Sequence, residues 1–143
     1  FYGRTNEWGE FSNFAHYGFT LDGKYWPTSE HYFQAQKFAG TEHGEQIRTA
    51  RKPNLAARMG RQRKRPLRKD WEGVKDDVMR RAVWAKFTAH EELKQLLLST
   101  GDHELVENAP GDFYWGCGKD GTGKNMLGRI LMETRAKFVE AQA

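Results

Sequence analysis

Two short apolar runs, Phe19-Thr20-Leu21 and Lys24-Tyr25-Trp26, flank Asp22-Gly23, and this pattern predicts a tight two-residue hairpin. Residues 1–27 as a whole predict short strands and loops, closed by Pro27. From Thr28 the pattern turns helical. Thr28 or Ser29 can cap the first turn, Phe33 and Lys37 follow at helical spacing, and Gly40 is a natural stop. A second helix is expected from Glu42 to Ala50, and a third opens at Pro53-Asn54 and ends near Gly60. The longest helix is expected from Asp70 to Phe87, with Val74, Val78, Ala82 and Ala85 as its apolar stripe. Another carries Leu93, Leu96 and Leu97 and stops at Gly101. Leu105-Val106 reads as a short strand, Pro110 to Gly123 as a loop, and Met126 to Phe138 as a terminal helix. Strands and helices do not alternate, which argues against a Rossmann sheet. The expected fold is a helix-rich α+β single domain over residues 1–143 with a small β element.

Composition narrows the function classes. The 143 residues are 38% hydrophobic, enough to bury a core in one domain. Aromatics reach 13%, which suits a core and equally suits stacking on bases. A net charge of +4 favours an anionic partner such as a nucleotide, sugar phosphate or nucleic acid. The single Cys117 excludes an intrachain disulfide and a cysteine-rich zinc site, and points to a reducing cytoplasmic setting. No apolar run has membrane length and no signal peptide is visible. The chain begins at Phe1 rather than Met, so a short natural N-terminal segment is expected to be missing.

Glu30, Gln34 and Lys37 stand at i, i+4 and i+7, on one helix face among His31, Tyr32, Phe33 and Gln36. An acid, an amide and an amine among aromatics make a suitable wall for a polar ligand pocket. The plainer alternative is that Glu30 complements the helix dipole and Lys37 is solvated. His31 and His43 are too far apart in sequence to pair as metal ligands, and a hydrogen-bonded or surface histidine is the simpler expectation.

Gly118 to Lys124 matches G-x-x-x-x-G-K, but Asn125 stands where a P-loop needs Ser or Thr, and no good strand precedes it. A nucleoside triphosphatase is therefore excluded. The glycines, with Lys119 and Lys124, still allow backbone amides to approach a phosphate; a tight loop with solvated charges is the alternative. Asp112 is either a second catalytic carboxylate or a turn residue after Pro110-Gly111. Cys117 reads as a packed or loop thiol. Arg58, Arg61, Arg63, Lys64, Arg65, Arg68 and Lys69 crowd one segment, either a nucleic-acid contact or a solvated face.

Several long motifs resemble one family throughout the chain, the YbiA-like family, also called NADAR domains. They are Phe11-Ser12-Asn13-Phe14, Trp26 to Phe38, Ala56-Ala57-Arg58-Met59-Gly60, Trp71 with Val74-Lys75, Lys86-Phe87, Leu105-Val106-Glu107, Trp115-Gly116 and Asn125-Met126-Leu127-Gly128. The resemblance implies an N-glycosidase that needs no cofactor or metal. Members are linked to riboflavin biosynthesis, cleaving phosphoribosylamino-pyrimidine intermediates; others remove ADP-ribose from guanine in nucleic acid. By matching motif, the expected catalytic residues are Glu30, Lys37 and Asp112. The expected substrate-binding residues are Phe14, Trp71, Lys75, Trp115 and Asn125. The Arg58–Lys69 segment is a candidate nucleic-acid contact.

Both implied substrates join ribose C1 to an exocyclic amine. A neutral lysine can attack C1 of the ring-opened imine, provided its surroundings are desolvated or cationic. Lys37 is preferred over Lys75 because Glu30, a proton shuttle, shares its helix face. The rival route keeps the ring closed, with Glu30 as base for water, Asp112 as electrostatic partner and Trp71 or Trp115 stacking on the base. A non-catalytic ADP-ribose or nucleic-acid binding module is a third reading, disfavoured by Glu30 and Lys37 on one face.

Overall fold

The computed structural model describes residues 8–142. The hairpin turn is set by two left-handed residues, Asp22 (φ 57°) and Gly23 (φ 78°), which match the twist of a two-residue hairpin. Strands β1 (Phe19–Leu21) and β2 (Lys24–Trp26) pair antiparallel, with Phe19 opposite Trp26 and Leu21 opposite Lys24. Six helices follow: α1 (Ser29–Gln36), α2 (Glu42–Arg48), α3 (Pro53–Arg61), α4 (Trp71–Ala89), α5 (Glu91–Ser99) and α6 (Met126–Gln142). The fold is α+β and rich in helix, as the sequence predicts. The chain divides into two compact units. One is Asn13–Ala89; the other comprises Phe1–Ser12 and His90–Ala143, of which residues 8–12 and 90–142 are described.

In the Asn13–Ala89 unit, α1 lies against α2, α3 and α4. Seven of its eight residues are buried, though four of those seven are polar or charged. Burial therefore does not follow an amphipathic stripe, and each polar group needs an internal partner. The hairpin is pinned to α1 through Asp22, whose carboxylate accepts from Tyr32 Oη (2.9 Å), while Trp26 packs edge-on against Tyr32 at 4.9 Å. Beyond Gln36 the chain tightens. Phe38 N–H donates to Ala35 O (3.0 Å) and Thr41 N–H to Phe38 O (3.1 Å), and left-handed Gly40 (φ 79°) ends the turn. Helix α2 stops two residues short of the expected Ala50, whose carbonyl faces His31 Nε2 at 2.9 Å. The buried face of α4 runs through Trp71, Val78, Met79, Ala82, Val83, Lys86 and Phe87; of the expected stripe, Val74 and Ala85 are only half-buried.

In the other unit, α5 and α6 bury Leu93, Leu97, Ile130, Leu131 and Phe138. Helix α6 runs four residues past the expected Phe138. Leu105-Val106 is not a strand. Its backbone bonds to one side chain instead: Asn125 Nδ2 donates to Leu105 O (2.9 Å), and Glu107 N–H donates to Asn125 Oδ1 (2.8 Å). An amide side chain reproduces the donor and acceptor of a neighbouring strand, so an extended segment forms with no strand beside it.

Candidate active site

The start of α1 is anchored by side chains. Thr28 Oγ1 accepts from His31 N–H (3.1 Å) and lies 2.8 Å from His31 Nδ1. With Ala50 O accepting from Nε2, this network assigns the neutral tautomer, with Nδ1 accepting from the threonine hydroxyl. Burial, above all, holds the His31 pKa below its ordinary value. Ser29 Oγ donates to Asn13 Oδ1 (2.9 Å), Asn13 Nδ2 reaches Met79 Sδ (3.4 Å), and Glu30 N–H donates to Asn13 O (3.1 Å). His31 is thus a structural histidine, and Asn13 ties the segment before the hairpin to the first turn of α1. Phe14, the next residue, is half-buried.

Glu30 is 6% exposed, and its Oε2 accepts from Gln34 Nε2 at 2.7 Å, so the i, i+4 pair expected from sequence does meet. Gln34 Oε1 is buried and has no hydrogen-bond partner among the described residues. Gly60 of α3 makes room for this amide: a Cβ there would stand 2.1 Å from Gln34 Oε1.

Lys37 is 7% exposed. Its Nζ lies 5.6 Å from the Phe33 ring centroid and 5.9 Å from that of Trp71, and these two rings meet edge to face at 5.1 Å. Burial, foremost, and the nearby Arg63 guanidinium push the Lys37 pKa down from 10.5 to about 8; Arg61 adds to the fall, while Glu30 and Glu72 oppose it. Lys75 differs. It is held by Glu72 at 2.6 Å. Trp71 is buried by its contacts with Phe33 and Lys37, which makes it a wall for the amine. The structure therefore brings together Glu30, Gln34, Lys37, Phe33 and Trp71 in one unit.

Asp112, Trp115 and Asn125 belong to the other unit. Asp112 Oδ1 accepts from the backbone N–H of Tyr114 (3.0 Å) and Trp115 (2.8 Å), so the carboxylate builds the turn. Trp115 is half-buried and meets Tyr114 edge-on at 4.9 Å. Asn125, left-handed at φ 54°, uses both ends of its amide on the Leu105–Glu107 backbone. In the glycine-rich loop the amides from Thr122 onward are used internally. The N–H groups of Gly123, Lys124, Asn125, Met126 and Leu127 donate to carbonyls of residues 113–117, and Thr122 N–H donates to Asp120 Oδ1. Among the described residues no three His, Cys, Asp or Glu side chains cluster as metal ligands, and no helix is long and apolar enough to cross a membrane.

The NADAR domain family model matches residues 1–139. The chain belongs to the NADAR family. It is 56% identical to N-glycosidase YbiA of Escherichia coli (strain K12) over 138 residues, which cover 96% of this chain and 86% of that protein. It is similar to the NMR structure of E. coli YbiA with a TM-score of 0.91 and 53% identity, covering 99% of this chain and 84% of that one. It is also 41% identical to the chloroplastic riboflavin biosynthesis protein PYRR of Zea mays, over 97% of this chain but only 25% of the maize protein. This NADAR chain is an enzyme of the N-glycosidase class.

The sequence put Glu30, Gln34 and Lys37 on one helix face and Arg63 in the basic run, and the structure adds what these groups and Phe33 touch. Gln34 is the partner of Glu30, Phe33 is half of the ring pair below the amine, and Arg63 acts on Lys37 from the basic segment. A further group, Lys86, is 1% exposed, with Nζ 5.5 Å and 5.9 Å from the Phe87 and Tyr17 ring centroids. Its signal was present: a lysine interrupts the stripe of α4 just where Ala82 and Val83 are buried one turn before it.

Proposed function

We propose that this NADAR enzyme hydrolyses the bond between ribose C1 and an exocyclic amine, and that its substrate is a phosphoribosylamino-pyrimidine of riboflavin biosynthesis. The observation that carries the reading is Lys37, a desolvated amine among like charges with a pKa of about 8. Relative to an ordinary lysine, this raises the neutral fraction at pH 7 by about 300-fold. The riboflavin label of the maize relative supports the substrate class.

In the ring-opened substrate, C1 is an imine carbon. The neutral Lys37 Nζ adds to C1, and a proton passes to the former base nitrogen. The C1–N bond to the pyrimidine then breaks, releasing the aminopyrimidine and leaving an imine between C1 and Nζ. Water adds to that imine, the C1–Nζ bond breaks, and ribose 5-phosphate leaves with Lys37 restored. Glu30, held by Gln34, moves the protons at ring opening and at departure of the amine. In the ring-closed alternative, Glu30 activates the water that attacks C1.

Borohydride added during turnover is expected to trap the sugar on Lys37, located by peptide mass. Steady turnover with no trapped sugar would refute the lysine route. Glu30→Gln is expected to lower turnover at least about 100-fold with the fold kept; near-normal activity in that variant removes Glu30 as the proton shuttle.

A second reading has its own observation. Arg58, Arg61, Arg63, Lys64, Arg65 and Lys69 are exposed, and among the described residues none pairs with a carboxylate. Such a face favours an extended polyanion and hence removal of ADP-ribose from guanine in nucleic acid. Sugar release from a phosphoribosylamino-pyrimidine, compared with release from ADP-ribosylated guanine oligonucleotides, separates the two. Release from neither favours a binding module. The single Cys117, half-buried and unbridged, fits a reducing cytoplasmic setting.

A further inference from the structure

The segment after α3 is fastened to α1 at both ends. At its start, Arg63 Nη1 donates to Gly60 O (2.9 Å) and Gln62 O (3.1 Å), and Gly60 lies against the Gln34 side chain. At its end, Arg68 N–H donates to Lys37 O (3.1 Å), and Arg68 Nη1 donates to Gln36 O (3.3 Å). Arg68 is neutralised by Asp70 at 2.6 Å. The cations between, Arg61, Arg63, Lys64 and Arg65, have no such carboxylate among the described residues. Two of them, Arg61 and Arg63, act electrostatically on the buried Lys37.

We infer that Arg61 and Arg63, on the segment fastened to α1 beside Gln34 and Lys37, form a phosphate subsite which takes the 5-phosphate of a ribosyl substrate. The inference rests on the ribosylamine reading above and adds where the phosphate sits. Arg61 and Arg63 lie at the C-terminal end of α3, whose carbonyls favour cations. That end does not account for Lys64 and Arg65, nor for crowding cations around a third, buried one. Like charges held together without a counterion raise the potential of the site and favour a dianion. Guanidinium groups match phosphate oxygens in geometry as well as in charge. A bound dianion favours the charged form of Lys37, and so offsets part of the depression that Arg61 and Arg63 cause in the empty site. By reciprocity, phosphate affinity falls as Lys37 loses its proton.

The test compares a phosphoribosylamino-pyrimidine with its dephosphorylated ribosylamine, and measures ribose 5-phosphate binding by calorimetry. Among the described residues Arg61 makes no side-chain hydrogen bond, so Arg61→Gln removes charge alone; Arg63→Lys keeps the charge that Arg63→Gln removes. Arg61→Gln and Arg63→Gln are each expected to raise KM for the phosphorylated substrate by about ten-fold or more. Their KM for the dephosphorylated substrate stays within about three-fold of wild type, while kcat falls as Lys37 loses a like charge that holds its pKa down. Arg63→Lys recovers most of the loss, and Arg129→Gln, an exposed control on α6 of the other unit, changes nothing. Between pH 7.5 and 9 wild-type affinity for ribose 5-phosphate falls more steeply than that of Lys37→Met. Equal KM increases for both substrates, or ribose 5-phosphate binding unchanged in Arg61→Gln and Arg63→Gln, overturn the subsite. Oligonucleotide binding far tighter than ribose 5-phosphate binding, and lost equally in Arg58→Gln, overturns it in favour of a nucleic-acid face. A wild-type enzyme that cleaves neither substrate removes the ribosylamine reading, while the calorimetry still decides the subsite.

Discussion

Replacing Lys37 by Met is expected to stabilise this enzyme while abolishing its turnover. Met keeps the length and the apolar stem over Phe33 and Trp71 but removes the amine. In the folded state burial and Arg63 hold the Lys37 pKa at about 8, below its ordinary 10.5. A lowered pKa in a base means that folding disfavours the ammonium. The penalty is fully present below about pH 8 and is relieved as pH rises from about 8 towards 10.5. The gap corresponds to at most about 3 kcal/mol. Two cation–π contacts, each about 0.5 kcal/mol, are lost on substitution, and water at the edge of the pocket screens part of the rest. The expected gain is therefore about 2 kcal/mol at pH 7, or about 5 °C in Tm, shrinking towards zero near pH 10. Urea denaturation of both proteins at pH 7, 8.5 and 10 measures it. A variant less stable than wild type at pH 7, or a gain that does not shrink with pH, refutes the claim that Lys37 is a penalised, desolvated ammonium.

Gly60→Ala is expected to lose about 2–3 kcal/mol in urea denaturation, and activity with it, because the new methyl group meets Gln34 Oε1, which is fixed by its bond to Glu30. Asn125→Ala is expected to cost about 2–3 kcal/mol by the same assay, since Leu105 O and Glu107 N–H each lose a partner. Asp112→Asn keeps an oxygen for the Tyr114 and Trp115 amides, so thermal melting places it near wild type, whereas Asp112→Ala loses about 1 kcal/mol. If Asp112→Asn melts normally but turns over at least about 100-fold more slowly, the charge of Asp112 serves the chemistry as well as the turn.

What the sequence made legible is what is encoded locally. Asp22-Gly23 supports two left-handed residues within a few positions of the strands it joins, and Thr28 caps a helix one turn away. Leu105-Val106 marks the limit of that logic. An apolar pair such as Leu-Val looks the same whether its backbone meets a strand or an asparagine twenty residues on, and here it meets Asn125. The glycine-rich loop shows a related limit. Its glycines serve close approach of backbone to backbone, as where a Cβ on Gly123 would stand 2.4 Å from Gly116 O, and that approach uses the amides of residues 123–127.

The site was legible in its chemistry but not in its surroundings. Glu30, Gln34 and Lys37 could be placed on one face by counting, since helical period is a local property. Whether that face is wet or dry depends on α2, α3 and α4, and α1 gives little hint of burial because it carries Glu30, His31 and Gln34 among its aromatics. The same polar residues that made α1 look like a surface helix are the reason it is internally hydrogen-bonded, and that bonding leaves Lys37 dry. The basic segment was visible as a run of charge, but its effect on Lys37 arises only because Gly60 and Arg68 fasten it to α1. A lysine that looks ordinary in sequence thus becomes an amine of pKa about 8 through burial and through arginines more than twenty residues away, which no local pattern could have linked to it.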